Sequence, residues 1–115
     1  MSELARVEAA DVGGLRLVRV SGEIDLSNAG QVMDAIAAVA PNDAPSVILD
    51  LTATTYVDSA GIGMLFRLAE RLGYRRQALH LVVPEEAPIR AVLELTNVDR
   101  VIHIQEAVDN TPEPT

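Results

Sequence analysis

The chain reads as a single α/β domain: a mixed central β-sheet in the order β-β-α-β-α-β-α-β, with amphipathic helices packed on it. Three observations predict this. Val47-Ile48-Leu49-Asp50-Leu51 is a short apolar run bounded by Pro45 and by polar residues, as in a strand buried on both faces of a parallel sheet. Stretches with helical apolar spacing stand on either side of it, and strand–helix alternation of this kind builds parallel strands. Near the N-terminus, two alternating stretches are separated only by a glycine turn, which makes them an antiparallel pair.

Taken in order, Leu4 to Ala9 is the first strand and Asp11-Val12-Gly13-Gly14 the turn, since glycine adopts positive φ at little cost. Leu15 to Val20 alternates apolar and polar residues, a half-buried second strand from which Gly22-Glu23-Ile24-Asp25 leads out. Ser27 or Asn28 then caps a helix, Asn28 and Gln31 having capping-box spacing. Its inner face is Ala29, Val32, Met33, Ile36, Val39 and Ala40, and Pro41 to Pro45 ends it. After the Val47–Leu51 strand, Asp58-Ser59 opens a helix whose apolar stripe is Ile62, Leu65, Phe66, Ala69 and Leu72, with Gly73 as its stop. Ala78 to Val83 is the next strand, ended by Pro84. Glu85-Glu86-Ala87-Pro88 begins another helix with acids at its positive end and Ile89, Val92, Leu93 and Thr96 inward. Asn97 suits a left-handed cap, and Arg100 to Ile104 is a last short strand. The domain is expected over residues 1–106, with a disordered acidic, proline-containing tail over 107–115.

Composition narrows the function. At 115 residues the chain has the size of one domain, and 49% hydrophobic residues with positive mean hydropathy make it globular. One Phe, two Tyr and no Trp leave an aliphatic core. Net charge is −8, and every positive charge is Arg, so phosphate backbones are repelled and nucleic acid is not an expected partner. Arg67, Arg71, Arg75 and Arg76 cluster at helical spacing and read as the solvated face of the Ser59 helix, supporting its negative end. Without cysteine there are no disulfides, no thiolate catalysis and none of the common zinc motifs. With no signal peptide and no apolar run near the ~20 residues of a membrane helix, a cytoplasmic location is expected.

The informative stretch is Asp58-Ser59, a hydroxyl at the positive end of a helix close to the carboxyl end of a strand. Taken alone it is an N-cap, a feature that contributes ~1 kcal/mol. Ser59 lacks the Gly-x-Ser-x-Gly elbow of a hydrolase nucleophile because position 57 is Val, and His80 and His103 both fall inside predicted strands. Gly61-x-Gly63 is too short for a dinucleotide fingerprint. The chain is therefore expected not to be an enzyme and to need no cofactor or metal, a serine hydrolase being the remote alternative.

Ile48-Leu49-Asp50-Leu51 followed by Val57-Asp58-Ser59-Ala60-Gly61-Ile62-Gly63, with Gly22-Glu23-Ile24-Asp25 upstream, resembles the STAS family of anti-sigma factor antagonists over about residues 3 to 106. The resemblance implies that Ser59 is a phosphoacceptor and that the unphosphorylated protein binds an anti-sigma factor, a GHKL-type serine kinase, and so frees a sigma factor. It implies a PP2C-type phosphatase that restores the serine. Carried onto this chain, Asp58 orients the loop, Asp25 borders it, and Gly61 allows a partner backbone to approach. Ile62 and Met64 are candidate contacts, Ile62 also fitting the core and Met64, off the apolar stripe, suiting an exposed adaptable contact. A phosphate on Ser59 would be received by helix N–H groups. Where many family members have a second serine this chain has Ala60, and Gln105 to Val108 is too short to predict the extra C-terminal helix that members often carry. The alternative within the family is an accessory subunit of a transporter, lipid-transport or stress-signalling complex.

Overall fold

The computed structural model describes residues 4–108. Strands β1 (Ala5–Val12) and β2 (Leu15–Ile24) form the expected antiparallel hairpin. Gly13 and Gly14 between them both have positive φ, 56° and 83°, the requirement that places glycines there. β2 is longer than the sequence suggests, and Gly22-Glu23-Ile24 continues it. β2 changes partner along its length, and within its second pairing the register shifts between Gly22 and Glu23, where Thr55 of the facing strand is left over. Its first half runs parallel to β3 (Ser46–Asp50), and its end runs parallel to β4 (Thr54–Val57), with Ile24 opposite Val57.

β4 is absent from the predicted strands. Thr54-Thr55-Tyr56-Val57 is short and half polar, and it pairs only with the end of β2, across an irregularity at Thr55. Beyond β3 lie β5 (Ala78–Val82) and β6 (His103–Gln105), both parallel to their neighbours, giving the order β1-β2-β3-β5-β6 with β4 joined to β2. The last strand starts at His103 rather than Arg100, because Val98–Arg100 is a turn of 3-10 helix that follows Asn97 at the expected positive φ.

The helices are α1 (Ala29–Val39), α2 (Ser59–Tyr74) and α3 (Arg90–Leu95). α3 begins five residues later than the Glu85 expected. Pro88 has no N–H to give the Pro84 carbonyl, so the segment forms turns closed by Ala87 N–H to Pro84 O and Arg90 N–H to Ala87 O. α2 runs through Gly73. Its end is closed by Gln77 N–H to Leu72 O and Arg76 N–H to Gly73 O, with Arg76 rather than a glycine in the left-handed conformation at φ 58°.

All three helices contribute to the main core. Val32 and Ile36 of α1, Leu65, Leu68 and Leu72 of α2, and Leu93 of α3 join Val18, Val20, Leu49 and Leu81 of the sheet. Full burial of such a side chain contributes roughly 1.5–3 kcal/mol. The other face of the sheet carries a smaller cluster, Leu17, Ile48 and Val82, against which Ala10, Val12 and Val108 pack. Asp50, at the end of β3, is structural: it accepts from the Thr52 amide and hydroxyl and pairs with Arg19 at 3.2 Å. The expected tail lies outside the described residues from position 109 onward.

Candidate functional site

β2 and β4 run parallel and finish at the same edge of the sheet, so the residues that follow them, Asp25 and Asp58, belong to adjacent loops. In parallel sheets this carboxyl edge is where ligands and partners are received. Backbone bonds stitch the two loops together. Asp58 N–H donates to Ile24 O at 3.2 Å, and Leu26 N–H donates to Asp58 Oδ2 at 3.1 Å. The other carboxylate oxygen of Asp58 accepts from Ala60 N–H at 2.9 Å and Gly61 N–H at 3.0 Å. Asp58, not Ser59, is therefore the cap of α2.

Asn28 does not form the capping box expected of it. Its side chain makes no cap on α1; its Oδ1 accepts from Asp25 N–H and its Nδ2 donates to Glu23 O, at 2.9 and 2.8 Å. Buried there, it holds the turn that carries Asp25. The Asp25 carboxylate in turn accepts from the Ser27 amide and hydroxyl.

On this braced platform Ser59 is exposed, and its hydroxyl makes no hydrogen bond among the described residues. Two large apolar side chains stand out in the same pair of segments: Leu26, 83% exposed, and Tyr56, 49% exposed. Sequence reasoning missed both. The available signal was a leucine between Asp25 and Ser27 in an otherwise polar turn, and a tyrosine following two threonines.

Three of the expected contact residues face the other way. A Cβ on Gly61 would lie 2.7 Å from Val57 Cγ1 and 3.1 Å from Ile24 O, so the close approach this glycine allows is that of α2 to β2 and β4 within the domain. Ile62, 7% exposed, is in the core, and Met64 is fully buried there rather than an exposed contact. The reason is the width of the buried arc of α2: Gly61, Met64 and Leu68 are buried in addition to the predicted Ile62, Leu65 and Leu72. The expectation that helix amides would receive a phosphate on Ser59 is also corrected. Ala60 and Gly61 N–H are taken by the Asp58 carboxylate, and Ile62 N–H by the Asp58 carbonyl.

His80 and His103 sit against each other on β5 and β6, ring centroids 5.0 Å apart and edge to face. No hydrogen bond joins Ser59 to either among the described residues. Among those residues no group of three or more His, Asp or Glu is placed to hold a metal ion. No helix there is long and apolar enough to cross a membrane.

Comparison with known proteins gives the family and the fold. Residues 6–111 match the family model of the STAS domain. The anti-sigma-F factor antagonist RsfB of Mycobacterium tuberculosis is 26% identical over 98 residues, which cover 85% of this chain and 79% of that protein. The crystal structure of an anti-sigma factor antagonist from Mycobacterium paratuberculosis superposes with a TM-score of 0.77 at 29% identity, covering 92% of this chain and 89% of that one. A Thermotoga maritima crystal structure matches at TM-score 0.72 and 21% identity over 90% of this chain and 89% of its own, a likeness of fold alone.

Proposed function

The chain belongs to the STAS domain family, and on that premise we propose that it is an anti-sigma factor antagonist switched by phosphorylation of Ser59. Unphosphorylated, it docks an anti-sigma factor, a serine kinase of the GHKL type, through the pole formed by Asp25, Leu26, Tyr56, Asp58 and Ser59, and the sigma factor is released. Phosphorylation by that kinase ends docking, and a PP2C-type phosphatase restores it.

The observation that carries this reading is the contrast at one spot between a rigid frame and a free hydroxyl. Ser59 is exposed, and exposed Leu26 and Tyr56 belong to the same pair of segments, while the backbone there is held by Asp58 and Asn28. Tyrosine is among the side chains that carry a large share of binding energy when they sit at the centre of a contact. A phosphate adds about −1.5 to −2 charge, in a loop that already holds Asp25 and Asp58. Because the serine contributes no cap, its modification leaves the fold standing and changes only what a partner meets.

The test is binding of Ser59→Ala, Ser59→Glu and phosphoserine-59 protein to the cognate anti-sigma kinase. The reading expects Ser59→Ala to bind like the parent protein, phosphoserine to weaken binding by tenfold or more, and Ser59→Glu, with one charge, to fall between. Equal affinities for the alanine and phosphoserine forms overturn it.

A further inference from the structure

The cap geometry creates a problem for a phosphate on Ser59. Of the first-turn amides that would ordinarily receive an anion, those of Ala60, Gly61 and Ile62 are already bonded to Asp58, which leaves only the N–H of Ser59 itself. The near carboxylates, Asp58 and Asp25, repel it. One amide does little to offset a dianion beside two carboxylates, so a cation within reach would be favoured.

Along the row of α2 that starts at Ser59, the position one turn on is Gly63 and the next is Arg67. Helical side chains lean toward the N-terminus. Arg67 does so here: its Nη1 lies 3.3 Å from where a Cβ on Gly63 would be. The guanidinium thus rests over the one position of the row that has no side chain. Arg67 is exposed and has no ion pair or hydrogen bond among the described residues, so nothing holds the group in its present place. Eight residues separate Ser59 from Arg67, about 12 Å along the axis. The lean of the side chain to the level of Gly63 removes about half of that gap. A phosphoserine side chain and a small extension of the arginine span the rest.

We propose that Arg67 is the intramolecular counter-ion of phosphorylated Ser59, reaching it across Gly63. The proposal rests on the reading of Ser59 as a phosphoacceptor and adds the residue that stabilises the modified state. Pairing would also withdraw one arginine from the exposed row that continues to Arg71, so phosphorylation alters the surface at two points rather than one.

The experiment uses full-length protein with phosphoserine installed at position 59 by genetic encoding, so it does not depend on any kinase. The second ionisation of the phosphate is followed by 31P NMR in the parent, Arg67→Gln, Arg67→Lys, Gly63→Gln and Arg71→Gln proteins. A neighbouring opposite charge favours the dianion, and solvent screening keeps the effect small at an exposed site. Arg67→Gln should raise the phosphate pKa by about half a unit, and Gly63→Gln, which occupies the gap, should do the same. Arg67→Lys should retain part of the effect, Arg71→Gln should have none, and the difference should shrink at high salt. An unchanged pKa in both Arg67→Gln and Gly63→Gln overturns the proposal. Absence of phosphate on Ser59 in protein from its native cell would instead remove the parent reading while leaving the measured coupling intact.

Discussion

Two regions of the sheet treat buried polar groups in opposite ways. At the Ser59 pole, Asn28 uses both ends of its amide, Thr54 donates to Val20 O at 2.7 Å, and the Asp58 carboxylate accepts three backbone N–H groups. On and just before β5, the buried Gln77 Oε1 and His80 Nδ1 have no hydrogen-bond partner among the described residues. A buried polar atom without a partner costs about 1–3 kcal/mol. The difference teaches where positional accuracy is required. The pole holds two loops in register with every polar end used, whereas Gln77 braces the loop after α1 with its Nε2 alone, donating to Pro41 O and Ala44 O, and leaves its oxygen unpaired.

The largest expected effect comes from breaking the pole at its root. Gly22 has φ 95°, and a Cβ there would lie 2.0 Å from the Leu4 carbonyl oxygen. Gly22→Ala should cost about 3 kcal/mol or more, since it combines backbone strain with a clash against backbone that cannot swing away. Chemical denaturation gives the loss. Hydrogen exchange gives its location: the amides of Leu26, Ala60 and Gly61 should exchange faster by a larger factor than those of β5. Uniform acceleration would mean that the two regions are not separable in the way described.

A smaller effect sharpens the comparison within the pole itself. Asp58→Ala should destabilise by about 1–2 kcal/mol, because it frees two first-turn amides and the Leu26 amide together. Ser59→Ala, one residue away, should stay within about 0.5 kcal/mol, as its hydroxyl is bonded to nothing among the described residues. Thermal unfolding of the two variants side by side checks both values. If they lose equal stability, Ser59 has a structural role and the division of labour between cap and acceptor fails.

Much of this architecture is legible in the sequence, and the exceptions have physical causes. The Val47 strand, the inner face of α1 and the Ser59 helix are local patterns of apolar spacing, which a single chain displays openly. β4 is not local: it depends on pairing with the end of β2, some thirty residues earlier in the chain, and on a glycine whose conformation only the folded sheet requires. Met64 lies off the apolar stripe that spacing reveals and Gly61 enters only through the family resemblance, but the helix buries a broader arc that includes both. The Asp58-Ser59 pair was visible as a motif, but which of the two caps the helix is decided by the Leu26 amide arriving from the other loop.

The smallest expected effect tests the other region. Burial, and secondarily the charge of His103, lower the pKa of His80 below the ordinary 6.5. In the unfolded chain His80 takes up a proton near 6.5, while in the folded chain it does so only at lower pH, so between those values the unfolded state binds more protons. The stability due to neutral His80 is therefore fully present above 6.5 and is lost as pH falls from there toward the lowered folded value. Many carboxylates also titrate in acid, so the measurement is a difference: denaturation midpoints at several pH values from 7.5 down to 5, for the parent and His80→Gln. The parent should lose more than the variant across the upper part of that range. His103→Gln should reduce the loss without abolishing it, because burial is the larger cause and the charge of the neighbouring ring the smaller. Should His103→Gln remove the whole effect, the edge is governed by repulsion between two rings, and the contrast with the pole becomes one of charge rather than of unsatisfied burial.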